Sequence, residues 1–251
     1  MRATYTDMRR VTRALTFGFA TLTACGGAAF GSKGAESKVD IPVNAMATPA
    51  FEYGGLDRAA CETKLGERGI TWQPVPSARG VLAPIRLTGS LHGVAFHSAL
   101  PAKSRSTSPY EIMDCRLALA LDDFAAILEK YEVTEVVHLS AYRPPSKNWP
   151  ATKISDHHGG AMALDAAIFL KKDGTALNVE KDFHGAIGAK TCGPKSGPWP
   201  ATAEAKTLRS IACDAADAHL FNVELTPDFN KKHKNHFHLE VTPGVKWFMV
   251  K

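Results

Sequence analysis

Hydrophobic residues recur at spacings of three and four over residues 114–131, where Leu117, Leu121, Phe124, Leu128 and Tyr131 form a stripe behind Asp114. That period predicts an α-helix with one buried face, and the short acid at its head is a good N-cap. Residues 56–68 and 203–219 also read as helices, the first stopped by Gly69. Other apolar residues sit in short, often β-branched runs. Ile70 to Val75, Leu91 to Phe96, Val133 to Leu139, Ala161 to Phe169 and Phe237 to Val241 predict strands. The fourth is bounded by Gly159-Gly160 and by the turn Lys172-Asp173-Gly174. Residues 100–110, rich in Ser and Pro, predict a loop. There is no internal repeat and no regular β-α-β rhythm, so the expected class is α+β: a small antiparallel sheet with flanking helices.

The N-terminus has a different pattern. Residues 1–13 are basic and residues 14–24 form a short apolar stretch ending in Leu22-Thr23-Ala24-Cys25. A basic region followed by a brief apolar one is the layout of an export signal, and small residues before a cysteine resemble a bacterial lipobox. The expectation is a lipoprotein signal peptide over 1–24 and a lipidated Cys25 that anchors the chain to a membrane surface. Residues 25–50, with few large apolar side chains, read as a flexible tether, and 51–251 as the folded domain. No apolar run approaches the roughly 20 residues that span a bilayer.

Charge changes this picture little. The formal charge is +5, but Arg2, Arg9, Arg10 and Arg13 against Asp7 give the signal segment +3, leaving +2 for the rest. That gives no electrostatic case for nucleic acid. Cysteine usage fits export. Beyond Cys25 there are four, Cys61, Cys115, Cys192 and Cys213, none in a CxxC pair. An even number in an oxidising compartment reads as two disulfides. Of three pairings, Cys61–Cys115 with Cys192–Cys213 is favoured because it joins near neighbours in the chain.

The ten histidines carry the chemistry. His92, His97, His138, His184 and His219 are isolated and read as structural or surface residues. His157 and His158 are adjacent, and His233, His236 and His238 fall within six residues. In His158-Gly-Gly-Ala-Met-Ala-Leu-Asp165 the glycines permit a tight turn. Ala161 and Ala163 alternate with Asp165 on one strand face and keep that face open. In His236-Phe-His238-Leu-Glu240 both histidines and Glu240 share a face while Phe237 and Leu239 point to the core. Two imidazoles and one carboxylate, with a fourth position open, form a donor set that suits catalytic Zn2+.

These segments resemble the extensin-like C-terminal family of bacterial envelope proteins, related to the LAS (D-Ala-D-Ala) metallopeptidases. The stretch 227–240, Pro-Asp-Phe-Asn-Lys-Lys-His-Lys-Asn-His-Phe-His-Leu-Glu, is similar to that family's closing motif. Ser140-Ala-Tyr-Arg143 resembles its strand-end motif, and Cys115-Arg-Leu-Ala-Leu-Ala is also familial. The resemblance covers about residues 57–241. It implies a LAS-like fold, metal ligands His158, Asp165 and His238, and an Arg143 that faces substrate. Two departures stand out. Ser155-Asp156-His157-His158 holds one residue more than the family's Ser-x-His; the distance to Asp165 selects His158, with His157 as the alternative. The family's cysteine beside the arginine is replaced by Pro144, which leaves Cys213 for Cys192.

The resemblance implies a zinc-dependent peptidase acting on peptidoglycan stem peptides in the cell envelope. Where those peptidases carry an acidic base, this chain has Asn235. An amide accepts no proton near neutral pH, so His236 is the expected base, with Glu240 second. The alternative expectation is a non-catalytic lipoprotein that binds wall peptides with a retained metal site. His233, in a lysine-rich turn, reads as solvated. Trp149 and Trp199, in Pro-rich loops, read as covering the edge of the core.

Overall fold

The computed structural model describes residues 39–251. The signal segment, Cys25 and the first half of the tether lie outside the described residues. From residue 40 the chain already has structure, earlier than a tether reaching residue 50 implies. Asp40 exchanges two backbone hydrogen bonds with Phe248, a short 3-10 turn follows at Ala45–Ala47, and helix α1 (Pro49–Gly54) has Ala50 fully buried.

Helix α2 (Arg58–Glu67) starts at Asp57, whose side chain accepts the Ala60 N–H, and ends before Gly69 at φ +67°. Strands β1 (Trp72–Pro74), β2 (Pro84–Leu87) and β4 (Met113–Asp114) form a three-stranded antiparallel sheet. The run expected as a strand over 91–96 is divided. His92 and Gly93 both take positive φ, which closes a tight turn between Leu91 and Val94, and strand β3 begins only at Ala95 and runs to Ser98. The 100–110 loop contains a short helix, α3 (Ala102–Arg105), and ends in a 3-10 turn, Pro109–Glu111.

Helix α4 (Cys115–Glu129) is the predicted helix, with Asp114 capping it through the Arg116 N–H. Its burial exceeds one stripe: Leu119, Ala120, Ala125 and Ile127 are buried with the predicted face, because α1, α2 and the main sheet surround it. Phe124 packs edge-on against Phe169 and Phe221, at ring distances of 6.4 and 5.7 Å. Such pairs add about 1 kcal/mol each beyond the area they bury.

The main sheet holds strands β5 (Val133–His138), β6 (Ala163–Lys171), β7 (Ala176–Asn178), β8 (Val223–Leu225), β9 (Phe237–Glu240) and β10 (Met249–Val250), together with β3. Their order is β10-β8-β9-β6-β5-β3, with β7 also on β6. The class is α+β as expected, but this sheet has seven strands and is mixed: β3–β5 and β10–β8 are parallel, the rest antiparallel. Helices α5 (Val179–Asp182) and α6 (Ala203–Asp217) complete the layer, α6 starting at Thr202, whose hydroxyl accepts the Ala205 N–H.

Both expected disulfides are present. Cys61–Cys115 ties α2 to the first residue of α4, and Cys192–Cys213 fastens the 183–202 segment to α6. Trp199 covers nothing, being 88% exposed, and Trp149 bonds locally to Lys153 O. Among the described residues no helix is long and apolar enough to cross a membrane.

Candidate metal centre

The site grows from one stretch of ladder. β6 and β9 pair antiparallel with Asp165 opposite His238 and Ala163 opposite Glu240, while Leu164 faces Leu239 and Ala166 faces Phe237. Strand alternation therefore puts Asp165, His238 and Glu240 on one face and the apolar residues on the core face.

His158 arrives from a 3-10 turn, His157–Gly160, which leads into β6. The glycines serve a close approach here: a Cβ on Gly160 would stand 2.3 Å from the Ser155 carbonyl oxygen. Ala161 is not part of the strand. It caps the turn in a left-handed conformation, φ +54°, fully buried against the Tyr142 cluster.

Three imidazoles converge on one oxygen. Asp165 Oδ1 lies 3.0 Å from His158 Nε2, 3.1 Å from His238 Nδ1 and 3.3 Å from His236 Nε2. Its other oxygen, Oδ2, accepts from Arg143 Nη2 at 2.7 Å and from Ser140 Oγ at 3.3 Å. All three imidazoles and the carboxylate are buried.

The second nitrogen of each ring is also occupied. His158 Nδ1 donates to the Ala141 carbonyl (2.9 Å), and His236 Nδ1 donates to Asn235 Oδ1 (2.9 Å). His238 Nε2 donates to Glu240 Oε2 (3.0 Å), which also accepts from His157 Nδ1 (2.5 Å). Thr242 Oγ1 donates to Glu240 Oε1 (2.9 Å). With those tautomers fixed, the neutral rings present lone pairs at His158 Nε2, His236 Nε2 and His238 Nδ1, all toward an anionic oxygen. Lone pairs facing one another across 3 Å require a cation among them, either protons or a metal ion. His158, Asp165 and His238 offer ligand atoms all within 4.8 Å of one another, so the residues present fit a zinc-type donor set.

Electrostatics follow from the same contacts. With protons as the cations between them, burial acts to raise the Asp165 carboxyl, but hydrogen bonds from His158 and His238 more than offset it and hold the group well below the usual carboxylate range. Burial likewise opposes charge on His238, yet Asp165 and Glu240 on either side raise it to about 9. Burial, against the opposing pull of Asp165, leaves His236 below the ordinary imidazole value.

The structure brings His158, Asp165, His238, His236 and Arg143 together, and it separates the two adjacent histidines. His158 turns inward to Asp165, while His157, with its side chain 60% exposed, bonds to Glu240 and forms with His238 and Glu240 a second group whose ligand atoms lie within 4.8 Å of one another. Glu240 is fully engaged by His238, His157 and Thr242, so it is a hydrogen-bond partner of His238 and not a free base.

His233 departs from the solvated turn that its lysine neighbours predict. Its ring lies 5.1 Å from that of His236 and 5.8 Å from that of His238, half-buried, and burial together with those two rings pushes it down to about 4. The signal was the spacing Asn230-x-x-His233 at the head of a 3-10 turn, where Asn230 Oδ1 accepts both the Lys232 N–H and His233 Nδ1–H.

Comparison with curated proteins and with solved structures finds no match. A family profile, described as extensin-like protein C-terminus, matches residues 59–249, which takes in every residue of this site and both disulfides. The chain belongs to the extensin-like C-terminal family.

Proposed function

We propose that this protein is a zinc-dependent peptidase of the LAS type, acting on peptide amide bonds of peptidoglycan. The observation that carries the reading is the convergence of His158 Nε2, Asp165 Oδ1 and His238 Nδ1, two nitrogens and one carboxylate oxygen, each buried and each with its outer atom fixed by a hydrogen bond. Catalytic zinc sites use three such ligands and keep a fourth position open.

A zinc ion held there supplies Lewis acidity toward a peptide carbonyl and toward water. His236 is placed to take a proton on Nε2, since its Nδ1 is committed to Asn235. The Arg143 side chain is 55% exposed, and the part of its guanidinium not spent on Asp165 faces outward as a charge-assisted donor to a substrate carbonyl or carboxylate. The two disulfides and the signal-like N-terminus support export, with Cys25 as the lipid anchor that brings the domain within reach of the wall.

A second reading is a wall-peptide-binding lipoprotein without turnover. Asn235 favours it, because this amide orients His236 and accepts no proton itself. Elemental analysis of the purified protein beside His158→Ala and His238→Ala, followed by incubation with purified wall fragments, separates the readings. One zinc per chain, lost in both variants, with cleavage of the stem peptide, is the expected result. Zinc without cleavage favours the binder, and no zinc in the wild type after loading removes the peptidase reading.

A further inference from the structure

We propose that Arg143 is a positioning residue for the metal site: it holds Asp165 Oδ2 so that Asp165 presents Oδ1 alone to the metal. The inference rests on the metal-site reading above and adds a role to a residue whose expected partner was the substrate.

The two oxygens of Asp165 have separate surroundings. Oδ1 meets the three imidazoles, while Oδ2 meets Arg143 Nη2 at 2.7 Å and, more weakly, Ser140 Oγ at 3.3 Å. A carboxylate with both oxygens free can rotate or bind through both. One whose second oxygen is held by a guanidinium is fixed in plane and binds through the first. Asp165 is nearly inaccessible, its side chain 5% exposed, so few other donors can reach Oδ2.

The backbone around Arg143 performs the same task. Segment 139–143 runs from the end of β5 across both ligands. Leu139 N–H donates to the Asp165 carbonyl (2.9 Å) and Asp165 N–H to the Ser140 carbonyl (3.1 Å). The Ala141 carbonyl accepts His158 Nδ1–H (2.9 Å), and Arg143 N–H donates to the His158 carbonyl (3.0 Å). Five residues therefore fix two ligands that are seven positions apart in sequence. The Arg143 side chain is the last bond of this strap, reaching back from the His158 turn to Asp165.

Because Arg143 is more than half exposed, its loss should leave the fold intact and act on the geometry of the carboxylate. Outer-shell partners of metal ligands are worth about 10- to 100-fold in metal affinity. A residue used only to bind substrate would leave that affinity alone.

The test measures zinc affinity of the full chain by competition with a chromophoric chelator, beside thermal unfolding of the metal-free protein. Arg143→Met keeps the stem and removes the charge; Arg143→Lys keeps a charge that can reach Oδ2. The expected result is wild-type unfolding in both variants, zinc affinity about 10-fold weaker or more in Arg143→Met, and recovery of most of that loss in Arg143→Lys. Wild-type affinity in Arg143→Met would overturn the proposal while leaving the metal site standing. A wild type that binds no zinc would instead overturn the site reading itself, which keeps the two failures apart.

Discussion

Asp165 and His238 are direct partners across the β6–β9 ladder, and His238 Nδ1 stands 3.1 Å from Asp165 Oδ1. Side chains of opposed residues share a face, so the pair is a consequence of register, and a slip of one residue would turn either group to the core. Asp165→Asn keeps the shape and removes the charge that three imidazoles share. Zinc affinity is expected to fall by more than the roughly 100-fold that loss of an outer-shell partner can cost. Isothermal titration measures it, and an unchanged affinity would remove Asp165 from the ligand set.

The neighbouring histidines give a sharper contrast. His158→Ala should abolish stoichiometric zinc, whereas His157→Ala should retain it, because His158 is bonded to Asp165 while the exposed His157 is bonded to Glu240. Zinc content of the two purified variants decides between them, and the reverse pattern would make His157 the ligand.

Glu224 on β8 is fully buried, with no hydrogen-bond partner for either oxygen among the described residues. Burial, with Asp217 adding to it, raises its carboxyl well above 4.5. The folded state thus keeps a proton that the unfolded chain releases, so this group favours folding less as pH climbs past the ordinary glutamate range. Glu224→Gln removes that penalty. The variant should be more stable than wild type in urea at pH 7, with the gap closing as pH falls below about 4 and the unfolded chain becomes protonated too. A wild type as stable as the variant at pH 7 would show that the carboxyl finds a partner.

The disulfides close loops of different size, with sequence separations of 54 and 21. Loop-closure entropy assigns about 4 kcal/mol to the longer and about 3 kcal/mol to the shorter. Replacing Cys61 and Cys115 together by Ser should therefore lower the melting temperature more than replacing Cys192 and Cys213. The opposite order would mean that the segment held by Cys192 matters more than chain entropy.

Much of the site was legible because it depends on local alternation. His236, His238 and Glu240 on one strand face follow from residue order alone, and β9 begins at the predicted Phe237. The helix at Cys115–Glu129 was likewise visible, but its burial on nearly every side was not, since periodicity reports one face and cannot know that α1 and α2 cover the other. β8 and β10 are three and two residues long and carry no period of their own; they exist as strands only because β9 and β8 pair with them. His233 escaped for a related reason. Its lysine neighbours mark a solvated turn, and only the Asn230 side chain folds the ring inward over His236.

Asp165 and His238 are 73 positions apart, yet one pair of adjacent strands closes that distance. Between β7 and β8, over residues 179–222, the chain leaves the sheet and returns without contributing a residue to the centre. The length of that segment can drift over evolutionary time without moving a ligand, so long as the chain re-enters the ladder in phase.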